Sequence, residues 1–337
     1  MKKIKVAING LGRIGRAFLH AAAKEPSIEV VAVNDLMERE NAEYLLRHDS
    51  VYGGKNFQFS IFNFQYLSEK EPAKLPWKEL DVDVVIESTG FFATPEGAAQ
   101  HLAAGAKRVI VSAPVKENGG KGGKGNEECK TVLMGVNEES LADCKITSNA
   151  SCTTNAASPL IAILDETIGV EKAVLNTVHA YTATQALVDS PAGKKGHREG
   201  RAAAANIIPS STGAAIAVTK AYPSLEGKFD GISLRVPVIC GSIADITFIA
   251  KRDTTVEEVN DILRKAAKEK RWQGIFSAGD DELVSSDIVG SAEGAIAELS
   301  MTRVVGGNLV KVLAWYDNES GYANMLVRHV LKAGESL

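Results

Sequence analysis

Residues 4–22 read "IKVAINGLGRIGRAFLHAA", and one change of pattern inside them decides the fold. Ile4 to Ile8 is a short β-branched and apolar run that stops at Asn9-Gly10. From there Ile14, Phe18, Leu19 and Ala22 recur at helical spacing as far as Pro26. A second apolar run, "IEVVAVND" (28–35), follows. Strand, glycine turn, helix and strand within 35 residues make a βαβ unit, which implies a parallel sheet.

Working outward, "DVDVVIEST" (81–89) and "AKRVIVSAP" (106–114) are further strands, the second preceded by a helical pattern from Glu96 to Ala104. Continuous apolar runs suit strands covered on both faces. The expected class is therefore α/β, with a Rossmann doubly wound parallel sheet over residues 1–150. Beyond it come longer strand signals: "KAVLNTVHAYT", "FDGISLRVPVI", "SIADITFIAKR" and "NLVKVLAWYD". An Ala-rich helix around 213–221 and another around 255–269 separate them. They predict an α+β catalytic domain over 151–317, its sheet mostly antiparallel or mixed. Residues 318–337 carry a last helix expected to pack back on the first domain.

The length of 337 residues suits two domains of roughly 150 residues each. With 38 basic against 42 acidic residues the net charge is -4, which gives no reason to expect nucleic acid or a membrane as partner. No run of 18 apolar residues occurs, and the apolar part of "MKKIKVAING" is too short for a signal segment. Cys129, Cys144, Cys152 and Cys240 lack C-x-x-C spacing, which argues against a disulfide framework and against a metal site. The default location is a reducing cytoplasm. The stretch "KENGGKGGKGNEECK" (116–130) has almost nothing to bury and reads as a mobile surface loop.

Gly10, Gly12 and Gly15 form G-x-G-x-x-G after a strand and at the opening of a helix. Glycines there permit a tight turn and close approach of backbone to a pyrophosphate, which the helix N-terminus attracts. Asp35 stands 20 residues after Gly15 at the next strand's end, placed to accept hydrogen bonds from an adenosine ribose and to repel a 2′-phosphate. The pattern points to a dinucleotide, NAD over NADP.

Cys152 sits in "SNASCTTN" (148–155), a run of capping and turn residues ahead of Leu160, Ile161, Leu164 and Ile168 at helical spacing. It should lie near a helix N-terminus. An ordinary thiol, with a pKa of about 8.5, is only about 3% thiolate at pH 7. A helix dipole and a neighbouring imidazolium would make most of it thiolate. Pro159 forces a bend if the helix already runs at residue 155. Among six histidines, His20 and His101 fall in helical patterns, and His48, His197 and His329 read as surface positions. His179 ends a strand, a rigid place from which to present a ring.

Taken together, "NGLGRIGR", "VNDL", "VIESTG", "SNASCTTN", "HAYTATQ", "RAAAANIIPSSTGAA", "LRVPV" and "WYDNESGY" resemble the phosphorylating glyceraldehyde-3-phosphate dehydrogenase family, in its order and over nearly the whole chain. The resemblance implies that Cys152 attacks the aldehyde while His179 lowers the thiol pKa and moves protons. It implies a hemithioacetal, a thioester, and cleavage by inorganic phosphate. The substrate's phosphate would lie with Thr182 and Arg235, and the attacking phosphate with Ser151, Thr153, Thr212 and Gly213. For NAD the pattern maps onto Gly10, Gly12, Arg13, Ile14, Asp35, Lys70, Ser112 and Asn318. It also implies a homotetramer.

Some positions depart from that pattern. The usual second cysteine, four residues after the nucleophile, is Ala156. Counting back thirteen residues from Thr212 gives Glu199 with Arg198 beside it, so no arginine is assigned to that subsite. The rival enzyme is erythrose-4-phosphate dehydrogenase, which usually alters both "HAYTATQ" and "SSTGAA". The rival of another class is a catalytically idle binding protein, against which Cys152, His179, Thr182 and Arg235 all argue.

Overall fold

A computed structural model describes residues 3–53, 64–115, 129–191 and 196–337. The chain divides into two compact units, Met1–Ser151 with Ala323–Leu337, and Cys152–Tyr322.

Within the described residues of the first unit, seven strands form one parallel sheet: β1 (Ile4–Asn9), β2 (Ile28–Asn34), β3 (Gln65–Leu67), β4 (Val84–Glu87), β5 (Arg108–Val111), β6 (Cys129–Thr131) and β7 (Ile146–Ser148). Their order is β3-β2-β1-β4-β5-β7-β6. Helices α1 (Arg13–Ala22), α2 (Arg39–Arg47) and α3 (Pro95–Ala103) lie between strands in sequence. The chain turns back across the sheet between β1 and β4, and at such a switch point the carboxyl ends of the strands leave a crevice. Strands β1 and β4 are buried almost throughout, which explains their unbroken apolar runs. Residues 116–128 of the expected Gly/Lys-rich loop lie outside the described residues, and Cys129 and Lys130 open β6 instead.

The second unit opens with α4 (Cys152–Thr167), followed by β8 (Val170–Ala180), β9 (Ile208–Ser211), α5 (Ala214–Ala221), β10 (Phe229–Val236), β11 (Ser242–Ala250) and α6 (Val256–Ala266). Then come β12 (Phe276–Gly279), β13 (Ala295–Glu298), β14 (Arg303–Val305) and β15 (Leu309–Tyr316). Helix α7 (Ser320–Gly334) begins at the end of this unit and from Ala323 onward belongs to the first. The sheet runs β12-β13-β15-β11-β8-β10-β9, with β14 on β15. It is mixed: β8 with β10 and β12 with β13 are parallel, the other pairs antiparallel. One face packs against α4, α5 and α6. On the other, Val174, Ile232, Val305 and Leu309 are exposed.

Two features of the second unit bear on the chemistry. In the parallel register of β8 and β10, Arg235 stands opposite His179. At the start of α4, Pro159 sits inside the helix, so no amide donates to the carbonyl of residue 155 from that position.

Candidate active site

In the first unit, the carboxyl ends of β1, β2 and β4 border a cavity of about 730 Å³ whose lining includes Gly10, Gly12, Asp35, Lys70, Thr89 and Phe91. The three glycines of the turn differ in what an added Cβ would meet. Gly10 has φ +98°, and a Cβ there would stand 2.7 Å from the Thr89 amide nitrogen. At Gly15 a Cβ would meet the Gly10 carbonyl oxygen at 2.0 Å, so that glycine lets α1 pack on the turn. A Cβ at Gly12 meets nothing within 4 Å. The protein itself does not need glycine at that position, but a ligand approaching the backbone would.

Asp35 secures the turn from β2, accepting the Leu11 amide at 2.5 Å and the Met37 amide at 2.9 Å. Asn34 holds the segment beside Lys70 through the Glu69 amide (2.8 Å) and carbonyl (2.9 Å). The volume, the glycine backbone and the carboxylate fit a dinucleotide without a 2′-phosphate. Among the described residues, Arg13, Ile14 and Ser112 lie outside this lining. Arg13 pairs with Asp49, Ile14 is half-buried on α1, and the Ser112 amide bonds the Glu87 carbonyl at 2.9 Å.

The segment leading from β7 towards the thiol is held by a residue that sequence reading put on the surface. His329 is fully buried, with Nε2 2.9 Å from the Thr147 hydroxyl and Nδ1 3.1 Å from the Asn149 side-chain oxygen. The amide oxygen only accepts, so Nδ1 carries the hydrogen and Nε2 accepts from threonine. The surface assignment fails because α7 is amphipathic and turns this position inward. Next to Asn149, Ala150 has φ +53°, a left-handed conformation costing about 1–2 kcal/mol for a residue with a Cβ. Its amide donates to the Ser148 hydroxyl at 3.0 Å. Ser151, half-buried, is the last residue before α4.

In the second unit, Cys152 is the first residue of α4, so its sulfur stands at a helix N-terminus as expected. Its Sγ lies 3.4 Å from Nε2 of His179. Burial is the larger effect and holds the thiol pKa above its ordinary value, against the charge of Arg235 and hydrogen bonds from Thr153, so the mostly ionised thiol expected at this helix start is corrected. His179 is pushed down to about 3, by burial first and by Arg235 second. The imidazolium expected beside the thiol is therefore corrected: the ring is neutral, because it is buried and because a guanidinium already stands beside it.

Nδ1 of His179 lies 2.6 Å from the Ala180 carbonyl oxygen and 2.6 Å from Nη1 of Arg235. A carbonyl only accepts and a guanidinium only donates, so the two bonds exclude one another. With the hydrogen on Nδ1, Nε2 is bare and accepts from the thiol. With Arg235 donating, the hydrogen sits on Nε2 and points at sulfur. The ring can thus face the sulfur either as acceptor or as donor.

Thr153 is buried, and its hydroxyl lies 2.8 Å from that of Tyr316, which lies 2.7 Å from Thr177. The Tyr316 ring meets His179 edge-on at 5.9 Å. Sequence reading missed Tyr316 and Thr177. Tyr316 lies in the quoted "WYDNESGY", and the alternation along β15 turns it inward.

The start of α5 adjoins that of α4, the Thr154 hydroxyl bonding the Ala214 carbonyl at 3.4 Å. Thr212 caps the Ala214 amide at 3.2 Å, and a Cβ on Gly213 would meet nothing within 4 Å. Thr182 sits with Gln185 and Thr184 in a turn after β8. The Asn318 side-chain oxygen accepts from the Gly241 amide (3.2 Å) and the Ser242 hydroxyl (3.0 Å), fixing which way its amide faces. Nε of Arg235 is buried with no hydrogen-bond partner among the described residues.

Comparison with known proteins agrees with this architecture. The family model for the NAD binding domain of glyceraldehyde 3-phosphate dehydrogenase matches residues 4–95, and that for its C-terminal domain matches residues 151–318. Glyceraldehyde-3-phosphate dehydrogenase 2 of Streptomyces avermitilis is 43% identical, with 99% of each chain covered. Glyceraldehyde-3-phosphate dehydrogenase 1 of Bacillus subtilis is also 43% identical, with 96% of each covered. The Haloarcula vallismortis glyceraldehyde-3-phosphate dehydrogenase is 42% identical over the same shares.

Proposed function

The chain belongs to the glyceraldehyde-3-phosphate dehydrogenase family, and from that premise we propose that it converts D-glyceraldehyde 3-phosphate and inorganic phosphate to 1,3-bisphosphoglycerate, in glycolysis or gluconeogenesis. The observation that carries the reading is the 3.4 Å approach of Cys152 Sγ to His179 Nε2 at the first turn of a helix.

The enzyme is an NAD-dependent dehydrogenase. Bound NAD supplies the acceptor for the hydride that leaves the substrate carbon. Gly10, Gly12 and Asp35 would hold its pyrophosphate and ribose, with Arg13, Ile14, Lys70, Ser112 and Asn318 as further candidate contacts. The first unit is the NAD-binding domain, rejoined by the C-terminal helix, and the second carries the catalytic thiol.

Cys152 gives its proton to Nε2 of His179 and forms a carbon–sulfur bond to the aldehyde. The oxygen so generated takes a proton back from His179, giving a neutral hemithioacetal. His179 then removes that hydroxyl proton as the carbon is oxidised, leaving an acyl thioester on Cys152. Inorganic phosphate, held by Ser151, Thr153, Thr212 and Gly213, attacks the thioester carbon. The carbon–sulfur bond breaks and the sulfur leaves as thiolate, which the α4 dipole favours. The substrate's own phosphate sits with Thr182 and Arg235, whose buried Nε has a free donor to offer.

The bare face of the second unit's sheet, with Val174, Ile232, Val305 and Leu309 exposed, supports self-association, and we assign a homotetramer. Among the described residues no helix is long and apolar enough to cross a membrane, and we assign the enzyme to the cytoplasm. Replacing Cys152 tests the reading. Cys152→Ser should abolish NADH formation from D-glyceraldehyde 3-phosphate while leaving NAD binding in place, and a variant that still turned over would refute it.

A further inference from the structure

Glu199 is a buried carboxylate that the reaction above does not use. One of its oxygens accepts from Nε2 of Gln185 and the other from the Ser210 hydroxyl at 2.6 Å. Burying a carboxylate is costly unless donors satisfy it, and here both oxygens are satisfied.

The consequence lies one side chain further on. An ionised carboxylate only accepts, so the nitrogen end of the Gln185 amide must face Glu199. Its oxygen is thereby turned towards Thr182, where it accepts both the backbone amide at 2.9 Å and the hydroxyl at 3.2 Å. The second hydrogen of Nε2 goes to the Thr184 hydroxyl at 3.0 Å, and that hydroxyl lies 2.9 Å from Thr182 Oγ1. Thr184 can then donate to Thr182, whose own hydrogen goes to the Gln185 oxygen, so that one amide holds both the N–H and the hydroxyl of Thr182. Were the Gln185 amide reversed, its NH₂ would face the Thr182 N–H, donor against donor.

We infer that Glu199 is a positioning residue for the substrate-phosphate subsite: by fixing the Gln185 amide it holds the amide and hydroxyl of Thr182 in place for the phosphate. The inference rests on the proposed reading that Thr182 holds the phosphate of the aldehyde substrate.

Steady-state kinetics with D-glyceraldehyde 3-phosphate and with unphosphorylated D-glyceraldehyde, at saturating NAD and phosphate, test it. Glu199→Gln should lower kcat/KM for the phosphorylated aldehyde about ten-fold, mainly through KM, and change that for glyceraldehyde less than about two-fold. Gln185→Leu should give the same selective loss, and the double variant should be no worse than either single one. If Glu199→Gln does not fold, Gln185→Leu alone decides by the same selectivity. Equal losses on both aldehydes, no loss on either, or additive losses in the double variant would overturn the inference. A wild-type enzyme without preference for the phosphorylated aldehyde would instead remove the reading beneath it.

Discussion

Nη1 of Arg235 lies 2.6 Å from Nδ1 of His179, on the edge of the ring opposite Cys152. A permanent positive charge there opposes imidazolium formation and favours thiolate, so one side chain biases both members of the pair. Arg235→Gln should therefore raise the His179 pKa from about 3 and also raise that of Cys152. NMR titration of the ring and the pH dependence of iodoacetamide alkylation measure the two shifts. Alkylation at pH 7 should slow in the variant, and faster alkylation would contradict the assignment.

The buried histidines make the fold acid-sensitive. His179 and His329 are both held near 3 by burial, against 6.5 for a free ring. Below 6.5 the unfolded chain binds protons that the folded chain does not, so stability falls as pH falls from 6.5 towards 3. Each ring contributes about a ten-fold loss in the folding constant per pH unit across that window. Arg108 adds to the depression at His329. Denaturant melts of His329→Leu should show a shallower pH slope, whatever the change in absolute stability. An unchanged slope would mean that His329 is already protonated in the fold.

The glycines of the first turn should separate folding from cofactor binding. Gly12→Ala should melt within a few degrees of wild type yet lose about ten-fold or more in NAD affinity, because the added methyl points into open space. Gly15→Ala should be destabilised outright by its 2.0 Å overlap with the Gly10 carbonyl. Thermal melts and fluorescence titration with NAD read the two effects. Unimpaired NAD binding in Gly12→Ala would place the dinucleotide elsewhere.

Tyr316→Phe removes the hydroxyl that joins Thr153 to Thr177. Two buried threonine hydroxyls then lose a partner, and a destabilisation of about 1–3 kcal/mol should appear in urea melts. The alkylation rate of Cys152 should also change, since Thr153 hydrogen-bonds its sulfur. A variant unchanged in both would show that the hydroxyl chain carries no weight.

Long elements with one strong period were legible in the sequence. The β1–α1–β2 unit, β8, β11, α6 and the position of Cys152 at a helix start all follow from spacing and turn chemistry. The edge strands β3, β6, β9 and β14 were not, because three or four residues hold too little pattern to set a period. Long-range partners were hidden for another reason. That Arg235 faces His179 depends on the register of two parallel strands 56 residues apart, and that His329 reaches Asn149 depends on where the last helix docks. Glu199 read as a missing arginine. Its burial, and with it the Gln185 amide it orients, emerged only from the fold.

The central claim is that oxidation leaves an acyl group on Cys152 that only phosphate removes efficiently. Rapid mixing of enzyme, NAD and D-glyceraldehyde 3-phosphate in phosphate-free buffer tests it most directly. The account predicts a burst of about one NADH per chain, then near-arrest, with the acyl group found on Cys152 by mass spectrometry and turnover restored by phosphate. Sustained NADH formation without phosphate, or an unmodified Cys152 after the burst, would contradict it.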